Sequence, residues 1–313
     1  MTSKASHRPS QPGLPDLAIA ALIALIGLAM FLWRITDPAK LDFDETHYVP
    51  AVRVLLDFAG QPNPEHPPLA KYLIGIGMSI WGDNPFGWRI MSALFGALLV
   101  FAGVMAARWL FLSRPAAIMT GVLLLCSQTL FVLARIAMLD IFMATFLMLA
   151  FWMLAAAARR GFTRPRLALA GLFLGLAIAC KWTAAPLALA ALAAFLILRR
   201  RSTQSRAVPL IEGLMWLGPF VALIYLLGFL PYMFLRQDAV SLVQIIPHQF
   251  AMLALQSAPM APHTYQSRWD QWVLDLRPIW YFYEPLAGIQ RGVLYLGNPA
   301  ICWGGLVALV MCL

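Results

Sequence analysis

The sequence predicts an all-α integral membrane protein, and three observations carry that prediction. Of 313 residues, 61% are hydrophobic and 12% charged, with mean hydropathy +0.76; a soluble domain carries about 25% charged residues. Lys4, Arg8, Arg108, Arg114, Arg159, Arg160, Arg164, Arg166, Arg199, Arg200, Arg201 and Arg206 all fall in short segments between apolar runs, the pattern of cytoplasmic loops. Titratable residues collect instead in a polar stretch just past the first apolar run, where they cost free energy unless they lie in water or act there. The net charge of +9 thus reports topology, and no nucleic-acid partner is expected.

The elements follow in order. Residues 1–16 read as a cytoplasmic tail, and the run Leu17 to Trp33 as an uncleaved first span, too long for a signal peptide. Residues 34–84 form a long outer loop. Within it 69–81 is apolar but too short to cross, so it is expected to lie in the membrane interface. Residues 88–111 are the second span. Residues 115–158 are nearly continuous apolar chain that as one helix would reach ~66 Å, about twice the hydrocarbon thickness. They are therefore two spans turning at Arg135-Ile-Ala-Met-Leu-Asp140. Residues 167–198 likewise read as two short spans turning at Lys181-Trp-Thr183, which keeps both flanking arginine clusters on the inner side.

Residues 208–230 make the seventh span, closing a core of 17–235. A second outer loop runs 236–298, and 299–313 begins another span that either stops short or continues in a longer protein. The four cysteines (Cys126, Cys180, Cys302, Cys312) lie in or beside apolar runs with no CxxC pair, so neither a disulfide nor a zinc site is expected.

With the N-terminus inside, the isolated charges converge on the outer face. Asp44-Glu45 is either a solvated acidic pair or a carboxylate poised as general base, its pKa set by burial and nearby cations. Glu65-His66-Pro67-Pro68-Leu69-Ala70-Lys71 sets an extended entry to the interfacial helix. Lys71 there either snorkels toward headgroups or meets a phosphate. Arg89, Arg135 and Lys181 each sit at the outer end of a span, and together they suggest an anion, naturally a phosphate. Asp140 pairs with Arg135 across the hairpin turn or takes part in chemistry. His47, His66, Asp44 and Glu45 are residue types that suit a divalent cation, yet no spacing supports one, so no metal or other cofactor is expected. Trp269, Trp272, Trp280, Tyr281, Phe282 and Tyr283 read as an interfacial aromatic belt.

These motifs resemble the protein O-mannosyltransferases. The resemblance rests on Phe43-Asp-Glu-Thr-His-Tyr48, His66-Pro-Pro-Leu-Ala-Lys71, Arg135-Ile-Ala-Met-Leu-Asp140, Lys181-Trp-Thr183, Arg277-Pro-Ile-Trp-Tyr-Phe-Tyr283 and Gly297-Asn-Pro299. They occur in order from about residue 41 to 303. The resemblance implies a GT-C-type multi-span helical bundle with interfacial helices in the first extracytoplasmic loop. It also implies a polyprenyl-phosphate-linked sugar as donor substrate, and transfer with inversion to a protein Ser or Thr hydroxyl.

Carried onto this sequence, the resemblance makes Asp44 the catalytic base, with Glu45 its acidic neighbour, and Arg89 a contact to the donor phosphate. His47, His66, Lys71, Arg135, Asp140 and Lys181 are the remaining candidates around the substrate. Ala70 and Ala184 stand where the family commonly has Gly, Trp269-Asp-Gln-Trp-Val-Leu274 replaces a stretch usually ending Trp-Pro-Leu, and Cys302 stands where Trp is common. Lipid A transferases of the aminoarabinose type share the fold and an Asp-Glu motif, so the acceptor is a protein or a lipid. A transporter of lipid-linked sugars and an inactive paralogue are the other readings. Charges gathered at one face speak against the transporter, since transport sites lie near the midplane.

Overall fold

In a computed structural model, residues 12–201, 208–258, 266–286 and 288–312 are described; the tail with Lys4 and Arg8, and Arg206, lie outside them. The first helix, α1 (Leu14–Leu32), starts three residues before the expected span. Its Asp16 is buried between Arg108 (2.8 Å) and Arg114 (2.9 Å), which ties the start of α1 to the far end of the second span. The outer loop then folds into two helices, α2 (Glu45–Leu56) and α3 (Leu69–Trp81). The prolines at 67 and 68 set the entry to α3, and Gly82 at φ 88° ends it.

Asn84 accepts the Phe86 and Gly87 N–H groups, and Pro85 supplies a preformed first turn, so α4 (Pro85–Phe111) starts sharply and runs 27 residues. At ~1.5 Å per residue it crosses the hydrocarbon with length to spare. The next leg is broken: α5 (Arg114–Leu125) gives way at Cys126-Ser127 to α6 (Gln128–Leu133), capped by the Ser127 hydroxyl on Leu130 N–H. The turn at 134–138 leads into α7 (Leu139–Arg160), so the expected hairpin forms about Arg135–Asp140.

Helix α8 (Arg164–Cys180) stops at Lys181, a short 3-10 turn covers Trp182–Ala184, and α9 (Ala185–Arg201) follows. Pro219 interrupts the last span of the core into α10 (Leu210–Leu217) and α11 (Pro219–Leu227). Among the described residues, five segments are long and apolar enough to cross a membrane: Leu14–Leu32, Pro85–Phe111, Leu139–Arg160, Trp182–Arg199 and Leu210–Phe234. The expected spans over α5–α6 and α8 are shorter because serine capping and the Lys181 break divide them.

Helices α1, α4, α7 and α8 pack around one apolar core that includes Phe31, Val100, Leu139 and Phe142. Close approach of α8 to α10 requires Gly171, where a Cβ would meet the Trp216 carbonyl at 2.2 Å.

The second outer loop departs from an all-helical plan. After α12 (Ile245–Gln256) and α13 (Trp269–Val273), strands β1 (Ile279–Leu286) and β2 (Ile289–Tyr295) pair antiparallel, with Gly288 at φ 77° in the connection. A bulge between Trp280 and Phe282 lets the adjacent Tyr281 and Phe282 both turn inward while Trp280 and Tyr283 stay exposed. Part of the expected aromatic belt is thus a folded hairpin. Helix α14 (Pro299–Cys312) ends the described chain.

Candidate active site

The turn into α2 aims two adjacent carboxylates in different directions. Glu45 N–H donates to the Asp42 carbonyl (2.8 Å) and the Thr46 hydroxyl to the Phe43 carbonyl (2.7 Å), which leaves Phe43 at φ 45°. Left-handed backbone at a bulky residue costs about 1–3 kcal/mol and persists only where its surroundings hold it. Here the Phe43 ring lies against Tyr281 of β1 with centroids 4.2 Å apart. The Lys40–Glu284 pair (2.8 Å) and a bond from the Gln128 amide to the Leu294 carbonyl (3.2 Å) fasten the hairpin nearby.

Glu45 turns inward and is fully buried. One carboxylate oxygen accepts Arg89 Nε (2.8 Å) and the Ala137 N–H (2.8 Å); the other accepts Arg89 Nη2 (2.7 Å) and the Asp42 N–H (2.9 Å). Arg89 gives its remaining N–H groups to the carbonyls of Ile35 (3.0 Å), Pro38 (2.8 Å) and Lys40 (3.0 Å). A guanidinium has five N–H donors, and all of them are used inside the protein. The expected Arg89 contact to a donor phosphate therefore has no donor to make it in this arrangement. Arg89 clasps the loop before α2, and Glu45 joins α2, α4 and the turn before α7.

Asp44 is only half-buried, with Tyr48, one helical turn later, donating its hydroxyl to Oδ2 at 3.4 Å. Burial pushes the Asp44 carboxyl up from its ordinary value, opposed by His47 and Lys181 and reinforced by Asp140. The causes name the neighbours: the Lys181 ammonium, bound to both oxygens of Asp140 at 2.8 and 2.9 Å, lies within electrostatic reach of Asp44. The break between α8 and α9 makes this possible, because it ends the helix at Lys181, opposite the first turn of α7. Asp140 thus pairs with Lys181 and not with Arg135. Two of the three ammonium donors meet Asp140, and the third has no hydrogen-bond partner among the described residues.

His66 closes one side, its ring edge-on to Tyr48 with centroids 6.1 Å apart; burial lowers its pKa, so it is neutral at pH 7. His47 is exposed on the first turn of α2. Lys71 neither snorkels nor reaches the surface. It is fully buried, and Nζ donates to the carbonyls of Asn63 (2.7 Å) and His66 (3.2 Å), which shapes the loop that presents His66. Burial drives its pKa down to about 7. Arg135 lies toward α1, donating to the Met30 (3.2 Å) and Arg34 (3.1 Å) carbonyls with its guanidinium over Phe131. Arg89, Arg135 and Lys181 therefore serve three different local structures, and of the three Lys181 alone stands beside Asp44.

Three residues of the neighbourhood, Tyr48, Asp42 and Tyr281, are given no role at the site by the sequence. Tyr48 is legible as the i+4 neighbour of Asp44, and Asp42 as a third acid in the same turn. Tyr281 comes from a strand more than two hundred residues away, and no local pattern ties it to Asp44. Among the described residues no three His, Cys, Asp or Glu side chains gather closely enough to hold a metal ion.

The chain matches the family model for dolichyl-phosphate-mannose-protein mannosyltransferase over residues 65–226, and that for the C-terminal four-transmembrane region of protein O-mannosyltransferase over 241–313. A polyprenol-phosphate-mannose–protein mannosyltransferase of Corynebacterium glutamicum is 29% identical across 91% of this chain and 69% of its own length. One of the same name from Mycobacterium tuberculosis is 35% identical over 53% of this chain and 37% of its own length. In fold, the S. cerevisiae Pmt1-Pmt2 complex bound to its sugar donor superposes with a TM-score of 0.61 at 20% identity, over 71% of this chain and 34% of that one. ArnT from Cupriavidus metallidurans bound to undecaprenyl phosphate gives a TM-score of 0.52 at 20% identity, over 72% of this chain and 43% of that one. The apolar helices, the GT-C neighbours and the two family models agree, and this integral membrane chain belongs to the dolichyl-phosphate-mannose-protein mannosyltransferase family.

Proposed function

We propose that this chain transfers mannose from a polyprenyl-phosphate donor to Ser or Thr hydroxyls of proteins, at the extracytoplasmic face, with its N-terminus in the cytoplasm. The observation that carries the reading is Asp44, raised by burial and set beside the Lys181–Asp140 pair at the start of α2. The names of the relatives support the donor and the acceptor class.

In this mechanism the acceptor oxygen attacks C1 of the sugar from the face opposite the phosphate. The new C–O bond forms as the C1–O bond to the phosphate breaks, inverting C1, and the hydroxyl proton passes to Asp44. Polyprenyl phosphate departs with the bonding electrons. The third N–H of Lys181 meets a phosphate oxygen, a fixed charge that strengthens as negative charge develops there. Asp140 holds Lys181 in place, neutral His66 and exposed His47 border the substrate, and Glu45, Arg89 and Lys71 build the frame. Arg135 belongs to the flank of the site.

The test is transfer in membranes expressing the whole chain, with polyprenyl-phosphate-mannose and a Ser/Thr peptide, read by mass spectrometry. A general base is worth on the order of 10²–10⁴ in rate, so Asp44→Asn is expected to lose at least 100-fold while still binding donor. A variant with wild-type turnover refutes the assignment. A modified lipid with no modified peptide moves the acceptor to the lipid class.

A further inference from the structure

Asp42 is buried without exposure, and no side chain among the described residues donates to either of its carboxylate oxygens; the backbone N–H of Phe43 is the one local group that favours its charge. A buried carboxylate in that condition is costly to ionise. The cation near it is Arg89, whose five donors are already committed to Glu45 and to three carbonyls. The nearest acid is Glu45, which takes the Asp42 N–H on the same oxygen that it offers to Arg89. Asp42 also borders a cleft of about 440 Å³ lined by Arg34, Asp37, Gln128, Arg135 and the outer edge of β2.

We propose that Asp42 is a positioning residue whose protonation state sets the fit of residues 35–42 around Arg89, and through it the aim of Asp44. With its proton on, Asp42 lies neutral beside Glu45 and the clasp stays closed. With the proton lost, the new charge faces Glu45 with only the Phe43 N–H beside it and no side-chain donor free to receive it. Relief requires Arg89 to turn away from Glu45, or residues 35–42 to draw back toward Arg34 and Arg135 in the cleft. Either movement passes through Phe43, already held in left-handed backbone, to Asp44.

The charged and titratable groups facing Asp42 are Glu45 on its own segment, Arg89 from α4, Arg34, Asp37 and Arg135 around the cleft, and Tyr281 from β1. Burial, with Glu45 adding to it and Arg89 and the Phe43 N–H opposing, pushes the Asp42 carboxyl up to about 7. The folded state therefore holds a proton between 3.8 and about 7 that the unfolded chain gives up. Folding stability falls as pH rises through that window and is level above it.

This proposal rests on the mannosyl-transfer reading only for its rate consequence, so the test has one arm that needs no activity. Amide hydrogen exchange of residues 35–43 in the purified full chain, corrected for intrinsic rates, is followed from about pH 5.5 to about pH 9. Wild type is expected to open as pH rises through neutrality, and Asp42→Asn and Asp42→Leu to stay closed throughout. In the transfer assay, wild type shows a bell whose acid limb belongs to Asp44; its alkaline limb falls roughly tenfold per pH unit. Both variants keep the acid limb and lose the alkaline one. Exchange that rises alike in wild type and variants, or an alkaline limb that survives in them, overturns the proposal. So does Asp42→Asn failing to fold, since a neutral isostere is what the closed state requires. If wild type transfers nothing, the fault lies with the proposed function, and the exchange arm still decides whether Asp42 governs the clasp.

Discussion

Glu45 accepts four hydrogen bonds and faces no solvent, so its charge is used to hold structure. Removing one member of such a buried pair leaves the other uncompensated and costs about 3–5 kcal/mol. Arg89→Ala and Glu45→Ala are therefore expected to lower the thermal midpoint sharply in detergent. Arg89→Lys restores charge without the five-fold donor pattern, and is expected to recover only part of the loss. A donor-lipid affinity that collapses in Arg89→Ala while the midpoint stays put would return Arg89 to the phosphate. Lys181 calls for the opposite outcome. Lys181→Ala should leave the midpoint nearly unchanged, because the pair is partly exposed, while turnover falls at least tenfold in the membrane assay.

The elements show what the sequence could and could not reveal. The interruptions at Arg135–Asp140 and Lys181 were legible because a charged residue inside an apolar run must come out of the hydrocarbon, and both mark breaks in the structure. Partners were less legible. Asp140 was open to Arg135, five residues away, yet it meets Lys181, 41 residues away, since the start of α7 lies beside the end of α8. Arg89 showed its level in the membrane but not that its donors were already engaged. The β1–β2 hairpin was hidden because its aromatic residues also suit a membrane interface, and the bulge at Tyr281 breaks the alternation that announces a strand. Phe43→Gly tests the hairpin's hold on the turn that carries Asp44. Glycine accepts φ 45° without strain but loses the Tyr281 contact, so turnover should fall several-fold while the thermal midpoint does not drop. A midpoint that drops with turnover would show the contact to be a stabilising one instead.

For the molecule as a whole, the helical membrane frame followed from composition and charge placement. The division of the leg after α4 did not, because the Ser127 cap splits into α5 and α6 a run that hydropathy alone leaves continuous. Packing among the helices depends on close approaches that have no signature beyond a small residue. Gly171→Leu places a side chain against the Trp216 carbonyl and should separate α8 from α10. Size-exclusion profiles of detergent-solubilised protein are expected to show loss of the monodisperse peak, and an unchanged profile would count against that packing.

The clasp at Arg89 has a consequence for how this surface can change over generations. Of the groups it grips before α2, every one is a main-chain carbonyl, at positions 35, 38 and 40. A main-chain oxygen is supplied by any amino acid, so mutation in the codons for those positions does not erase the grip itself. The demand for identity falls on Arg89 and Glu45, while the strap they hold is free to vary in the face it turns outward. Drift in the strap can then alter what the enzyme meets at its rim without disturbing the turn that carries Asp44.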